Sequence, residues 1–138
     1  KDLKDESKQS ERDPHIKAKI RQLRGERART RMMAEVPDAD VVITNPTHFA
    51  VALKYDAESM AAPKVVAKGQ DNIAFRIREV AEENNVPIVE NPPLARGLYA
   101  SADLDREIPT EFFKAVAEVI GYVMRLQGKM RGRSRTAG

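Results

Sequence analysis

A chain of 138 residues with 41% apolar content, 33% charged residues and a net charge of +3 suits one domain with charged extensions. The absence of Cys excludes disulfide frameworks and thiolate chemistry and fits a reducing compartment. The two histidines, His15 and His48, match no metal-ligand spacing, so no metal and no other cofactor is expected. No run approaches the roughly 18 apolar residues of a membrane span, and no signal peptide is visible; the start at Lys1 rather than Met reads as a fragment of a longer protein.

The charge is unevenly spread. Residues 1–36 carry 11 basic and 7 acidic residues, residues 37–127 carry 9 and 14, and residues 128–138 carry 4 and none. An acidic body between two basic arms argues against a nucleic-acid domain. It also divides the chain into a charged linker with a basic helical stalk (1–36), a compact α/β domain (37–128) and a flexible basic tail (129–138).

Residues 1–12, KDLKDESKQSER, are almost without apolar residues. Asp13-Pro14 reads as an N-cap followed by Pro at the first helical position. The helix it opens runs from His15 to about Glu35, with Ile16, Ile20 and Leu23 as a thin apolar stripe among Lys17, Lys19, Arg21, Arg24, Arg27, Arg29 and Arg31. Such a helix reads as a solvated connector or as a basic rod beside anionic lipid or another acidic partner. Nucleic acid is the weaker alternative, because no aromatic residue interleaves with the basic ones to stack on bases.

Val41-Val42-Ile43 is a β-branched strand, and Phe49, Val51, Leu53 and Tyr55 alternate with smaller residues in a second. About three residues join them, which predicts an antiparallel hairpin. Lys64 to Gly69 is a third strand. Asp71 reads as the cap of a helix carrying Ile73, Ile77, Val80 and Ala81, and Val86 to Val89 as a fourth strand. Strand, helix and strand with short joints predict that strands three and four lie parallel. A short helix follows from Leu94 to about Ala102. A longer one runs from Pro109-Thr110 to near Gly128, with Phe113, Val116, Ile120, Val123 and Met124 on its apolar face. The expected fold is α/β: a small mixed four-stranded sheet packed by helices, preceded by an extended helix.

The connection between the first two strands is Asn45-Pro46-Thr47-His48. Asparagine before most residues loses its side-chain amide to attack by the next backbone nitrogen. Proline has no N–H, so that route is closed here. The remaining geometry has the Asn45 carboxamide nitrogen attack its own main-chain carbonyl, forming a succinimide and releasing Pro46 as a new N-terminus. The attack is intramolecular, so orientation lowers the barrier by several kcal/mol. A tight turn can hold the attack geometry, His48 can relay a proton, and backbone N–H groups beyond Pro46 can stabilise the oxyanion. The dipeptide alone is a weak signal and more often marks a structural turn. Asn91-Pro92 is a second Asn-Pro pair in the same chain, without a histidine two residues on, and serves as an internal control.

The motif NPTH, between DADVVIT and FAVALKYD, resembles the cytoplasmic domain of the flagellar FlhB and injectisome YscU export-switch family. The resemblance continues through APKVVAKG, IREVAEENNVPIVENPPLARGLY and IPTEFFKAVAEVIGYVMRL, and it is nearer the flagellar branch. It implies self-cleavage between Asn45 and Pro46 through Asn45, Pro46, Thr47 and His48, in a single turnover, with the fragments staying together. It further implies a switch of type III export from rod and hook proteins to filament proteins. The partners would be a hook-length ruler protein, other export-apparatus membrane proteins and export substrates, with no nucleic acid. Substrates are expected to dock at Ala62 and Pro63 and at Ala117 and Ile120, for which ordinary core packing is the competing reading. The parent would be anchored in the bacterial inner membrane with this domain on the cytoplasmic side. The alternatives are an uncleaved binding module that uses NPTH as a rigid recognition turn, and the injectisome counterpart.

Overall fold

The computed structural model describes residues 13–46 and 48–137, with side-chain burial given as far as Gly128. Residues 1–12, Thr47, Gly138 and the side chains of the tail lie outside the described residues, as do the expectations attached to them. The chain divides into two compact units, residues 1–34 and 35–138.

The first unit is the helix α1, Pro14–Glu35. Asp13 caps it: its carboxylate accepts the His15 N–H at 2.8 Å and its carbonyl accepts the Lys17 N–H. Ile16, Ile20 and Leu23 are about 40% exposed, as the thin stripe predicts for a helix that buries little.

The second unit opens with a 3-10 turn at Val36–Asp38 and continues through β1 (Val41–Asn45), β2 (Phe49–Lys54) and β3 (Lys64–Gln70). There follow α2 (Asp71–Glu83), β4 (Ile88–Glu90), α3 (Pro92–Ser101) and, after a second 3-10 turn at Thr110–Phe112, α4 (Phe113–Ala137). The sheet order is β3-β2-β1-β4. β1 and β2 form the predicted antiparallel hairpin, in register from Val41↔Leu53 to Asn45↔Phe49. β3 adds antiparallel to β2, with a bulge at Val66, and β4 adds parallel to β1.

β3 and β4 lie parallel, as expected, but they are not neighbours in the sheet. They occupy opposite edges, and the crossover through α2 passes over β2 and β1. Burial gives the reason: Val41, Val42 and Ile43 are fully enclosed, so β1 needs a hydrogen-bonded neighbour on each side. Two helical layers enclose the sheet. Val41, Ile43, Val51, Leu53 and Val65 meet Leu94, Ala95 and Leu98 of α3 and Val116, Val119 and Val123 of α4. The other face takes α2 through Ala74, Ile77 and Ala81. Gly69 permits that approach, because a Cβ there would collide with the Ile73 side chain.

Three expectations change. α4 does not end at Gly128 but continues to Ala137; one glycine costs a helix only about 1 kcal/mol, and good helix formers flank this one. The predicted apolar face of α4 splits: Val116 and Val123 are core, whereas Phe113 and Met124 are 41% and 60% exposed. Asp71 is not a cap. Gln70 holds the N-cap position without a side-chain hydrogen bond, and Asp71 is the first helical residue with a left-handed φ of 52°.

Candidate functional site

β1 delivers Asn45 to the end of the hairpin, where the register Asn45↔Phe49 leaves three residues to reverse the chain. Asn45 and Pro46 are half-buried and His48 is exposed. The His48 N–H donates to the Asn45 carbonyl oxygen at 2.9 Å. The Asn45 carbonyl is therefore polarised by the backbone N–H of the residue three positions on. A donor so placed follows the charge as the carbonyl becomes an oxyanion, and such donors contribute about 100-fold or more to rate. Pro46 has no N–H to tie it to the sheet.

Both flanks of the turn are anchored. The Thr44 carbonyl accepts the Asn91 N–H at 2.9 Å, which extends the parallel β1-β4 ladder by one step. The His48 carbonyl accepts the Asp71 N–H, also at 2.9 Å. Phe49 lies against Tyr99 with ring centroids 4.7 Å apart. Lys68 stands 5.3 Å from the Tyr99 ring and donates to the Tyr99 and Ala102 carbonyls at 3.0 and 2.7 Å, at the C-terminal end of α3 where a cation is favoured. Asp71, Tyr99 and Lys68 escape a reading of the sequence, since contacts between 20 and 60 residues apart leave no mark in periodicity.

Asn91-Pro92 lies beside this turn in space, because β1 and β4 run parallel and end together. Its chemistry is different. Asn91 caps α3: its side-chain oxygen accepts the Leu94 N–H at 3.3 Å and its carbonyl accepts the Ala95 N–H at 2.9 Å. Pro92 is already inside the helix.

Ala62, Pro63, Ala117 and Ile120 come together as well, at the other end of β2. They line an apolar groove of about 340 Å³ with Tyr55, Phe113 and Met124. Ala117 is exposed and Ile120 half-buried against the core, whereas Ala62 is almost wholly buried. One rim is the loop after β2. There Asp56 accepts the Glu58 N–H at 3.0 Å and the Ser59 hydroxyl at 2.9 Å, bonds that hold its carboxyl below the usual carboxylate range. Asp40 fixes Tyr55 by accepting its N–H at 2.7 Å. Among the described residues no cluster of His, Asp and Glu could hold a metal, and no helix is long and apolar enough to cross a membrane.

Residues 1–123 match the family described as the FlhB HrpN YscU SpaS Family. The flagellar biosynthetic protein FlhB of Escherichia coli (strain K12) is 56% identical over 126 residues, which cover 91% of this chain and 33% of that protein. The chain thus spans about a third of the length of this relative. The solved cytoplasmic domain of FlhB from Shewanella putrefaciens is 54% identical, with a TM-score of 0.72 over 76% of this chain and 81% of that one. A mutated EscU C-terminal domain is 32% identical, with a TM-score of 0.64 over 67% of this chain and 92% of that one. Solved EscU domains carry changes at an asparagine, at the proline that follows it, and at a histidine two residues further on.

Proposed function

The chain belongs to the FlhB HrpN YscU SpaS family, and on that premise we propose that it is the cytoplasmic domain of a flagellar type III export component that cuts its own backbone between Asn45 and Pro46. The observation that carries this reading is the position of Asn45-Pro46 at the end of β1, in the turn of the β1-β2 hairpin, where the Asn45 carbonyl also accepts the His48 N–H. The residues altered in the solved EscU domains have the same spacing as Asn45, Pro46 and His48, which supports the assignment.

In the reaction the Asn45 carboxamide nitrogen adds to the Asn45 carbonyl carbon. It loses one proton, the C–N bond to Pro46 breaks, and the prolyl nitrogen takes up a proton. The products are a C-terminal succinimide at Asn45 and a free amine at Pro46. His48 relays the proton. One event per chain suffices, so this is single-turnover chemistry rather than enzymatic turnover; a barrier of about 21 kcal/mol leaves a half-life of minutes.

Cutting does not release the N-terminal piece. β1 stays hydrogen-bonded to β2 and β4 on its two sides, and each of Val41, Val42 and Ile43 contributes about 1.5–3 kcal/mol by burial. What changes is the freedom of the segment around Pro46 to His48 and the surface it offers. That change switches export from rod and hook substrates to filament substrates, in response to a hook-length ruler protein. Export substrates dock in the groove of Ala62, Pro63, Ala117 and Ile120. The parent protein is anchored in the bacterial inner membrane beside the other membrane proteins of the apparatus, and α1 descends from that anchor. Boiling the purified chain in denaturant tests the reading: two bands are expected, and an uncleaved recognition module gives one.

A further inference from the structure

Asp71 is out of place as an ordinary helix starter. Its backbone is left-handed, one of three non-glycine residues so placed among the described residues, and that conformation carries strain. Its carboxylate makes no capping bond to α2. The kink instead turns its N–H onto the His48 carbonyl at 2.9 Å and brings Oδ1 to 4.0 Å from His48 Nδ1. Among the described residues Asp71 is the one charged group within ion-pair reach of that imidazole. The surrounding elements supply no competitor: β3 places Gln70 opposite Phe49, Lys68 is occupied at the end of α3, and on β4 Glu90 lies opposite Thr44. The other side of the ring has Phe49, 6.4 Å away between centroids.

We infer that Asp71 is a positioning residue for the self-cleavage, holding the His48 imidazole with its proton on Nδ1 so that Nε2 carries the lone pair that receives the Asn45 carboxamide proton. The inference rests on the self-cleavage proposed above. A neutral imidazole in water prefers its proton on Nε2, and a carboxylate facing Nδ1 reverses that preference. Both side chains are more than 60% exposed, so either can rotate to close 4.0 Å to a hydrogen bond, and the effect is modest in size. The proton moves from the Asn45 carboxamide to Nε2 and then to the departing Pro46 nitrogen. Asp71 neither gains nor loses one.

Two substitutions separate the side chain from the backbone, because Gly and Asn both accept a left-handed φ. Asp71→Gly removes the group facing Nδ1. Asp71→Asn keeps an oxygen that accepts the Nδ1–H. Chains purified in denaturant and refolded at pH 8 should cut about fivefold more slowly with Asp71→Gly, and within about twofold of wild type with Asp71→Asn. In an uncleavable Asn45→Ala background, the nitrogen shifts of His48 should report the Nδ1–H tautomer with Asp71 or Asp71→Asn and the Nε2–H tautomer with Asp71→Gly, while those of His15 stay constant. Equal rates and an unchanged His48 tautomer in all three chains overturn the inference while leaving self-cleavage standing. A loss of rate equal in both variants assigns Asp71 to the backbone anchor alone and also overturns it. A wild-type chain that never cuts removes the self-cleavage reading and this role with it.

Discussion

Asn45-Pro46 and Asn91-Pro92 are the same dipeptide at the ends of two neighbouring parallel strands, yet the fold holds them differently, and we propose that only the first breaks. Both carbonyls accept a backbone N–H, from His48 and from Ala95 respectively. Polarisation of the carbonyl is therefore not what separates them. The side chain and the leaving group are. The Asn91 carboxamide is occupied as a helix cap, and expelling Pro92 would unwind the first turn of α3. The Asn45 carboxamide stands at a strand end, and Pro46 lies in a turn whose two flanks are held by backbone hydrogen bonds. On the proposed self-cleavage, the backbone path rather than the residue pair selects the bond.

The comparison breaks most sharply at the asparagines themselves. Asn45→Ala removes the nucleophile and should abolish cutting, giving one full-length band after boiling. Asn91→Ala should leave cutting intact and cost about 1 kcal/mol of stability through the lost cap, read from denaturant unfolding of the two chains. Next in size is His48→Ala, expected to slow refolding-initiated cutting by about 100-fold without abolishing it.

The groove provides a third contrast, since it lies at the far end of β2 from the turn. Ala117→Asp places a charge on an exposed wall and should weaken substrate docking about tenfold, measured by titration with an export substrate, with no change in cutting rate. Ala62→Asp buries the same charge and should lower stability by several kcal/mol instead. Gly69→Ala forces Ile73 to shift and should cost about 1–3 kcal/mol in unfolding free energy while both fragments remain associated.

Much of this organisation is legible in the sequence, and what is not has identifiable causes. The β-branched run Val41-Val42-Ile43 and the alternation after Phe49 announce the hairpin, because side-chain period and turn length are local properties. NPTH points to the proposed chemistry because proline closes the competing deamidation route. The partner of β4 is not legible: an apolar run records that a strand is buried, not which strand lies beside it. The kink at Asp71 is hidden because an aspartate before a helix looks like a cap whichever way its backbone turns. The split face of α4 is hidden too, since Phe113 and Met124 share the helical period of the core residues and only the neighbouring loop decides which of them is covered. Asn91 was readable as a cap, with two prolines opening the helix after it.

The central claim, that backbone path and not dipeptide identity selects the bond, is tested most directly by the intact mass and N-terminal sequence of the pieces from freshly purified, denatured protein. Cutting at Asn45 predicts fragments of 45 and 93 residues, the larger beginning Pro46-Thr47-His48. An unbroken 138-residue chain after prolonged incubation, or pieces of 91 and 47 residues from a break after Asn91, would contradict it.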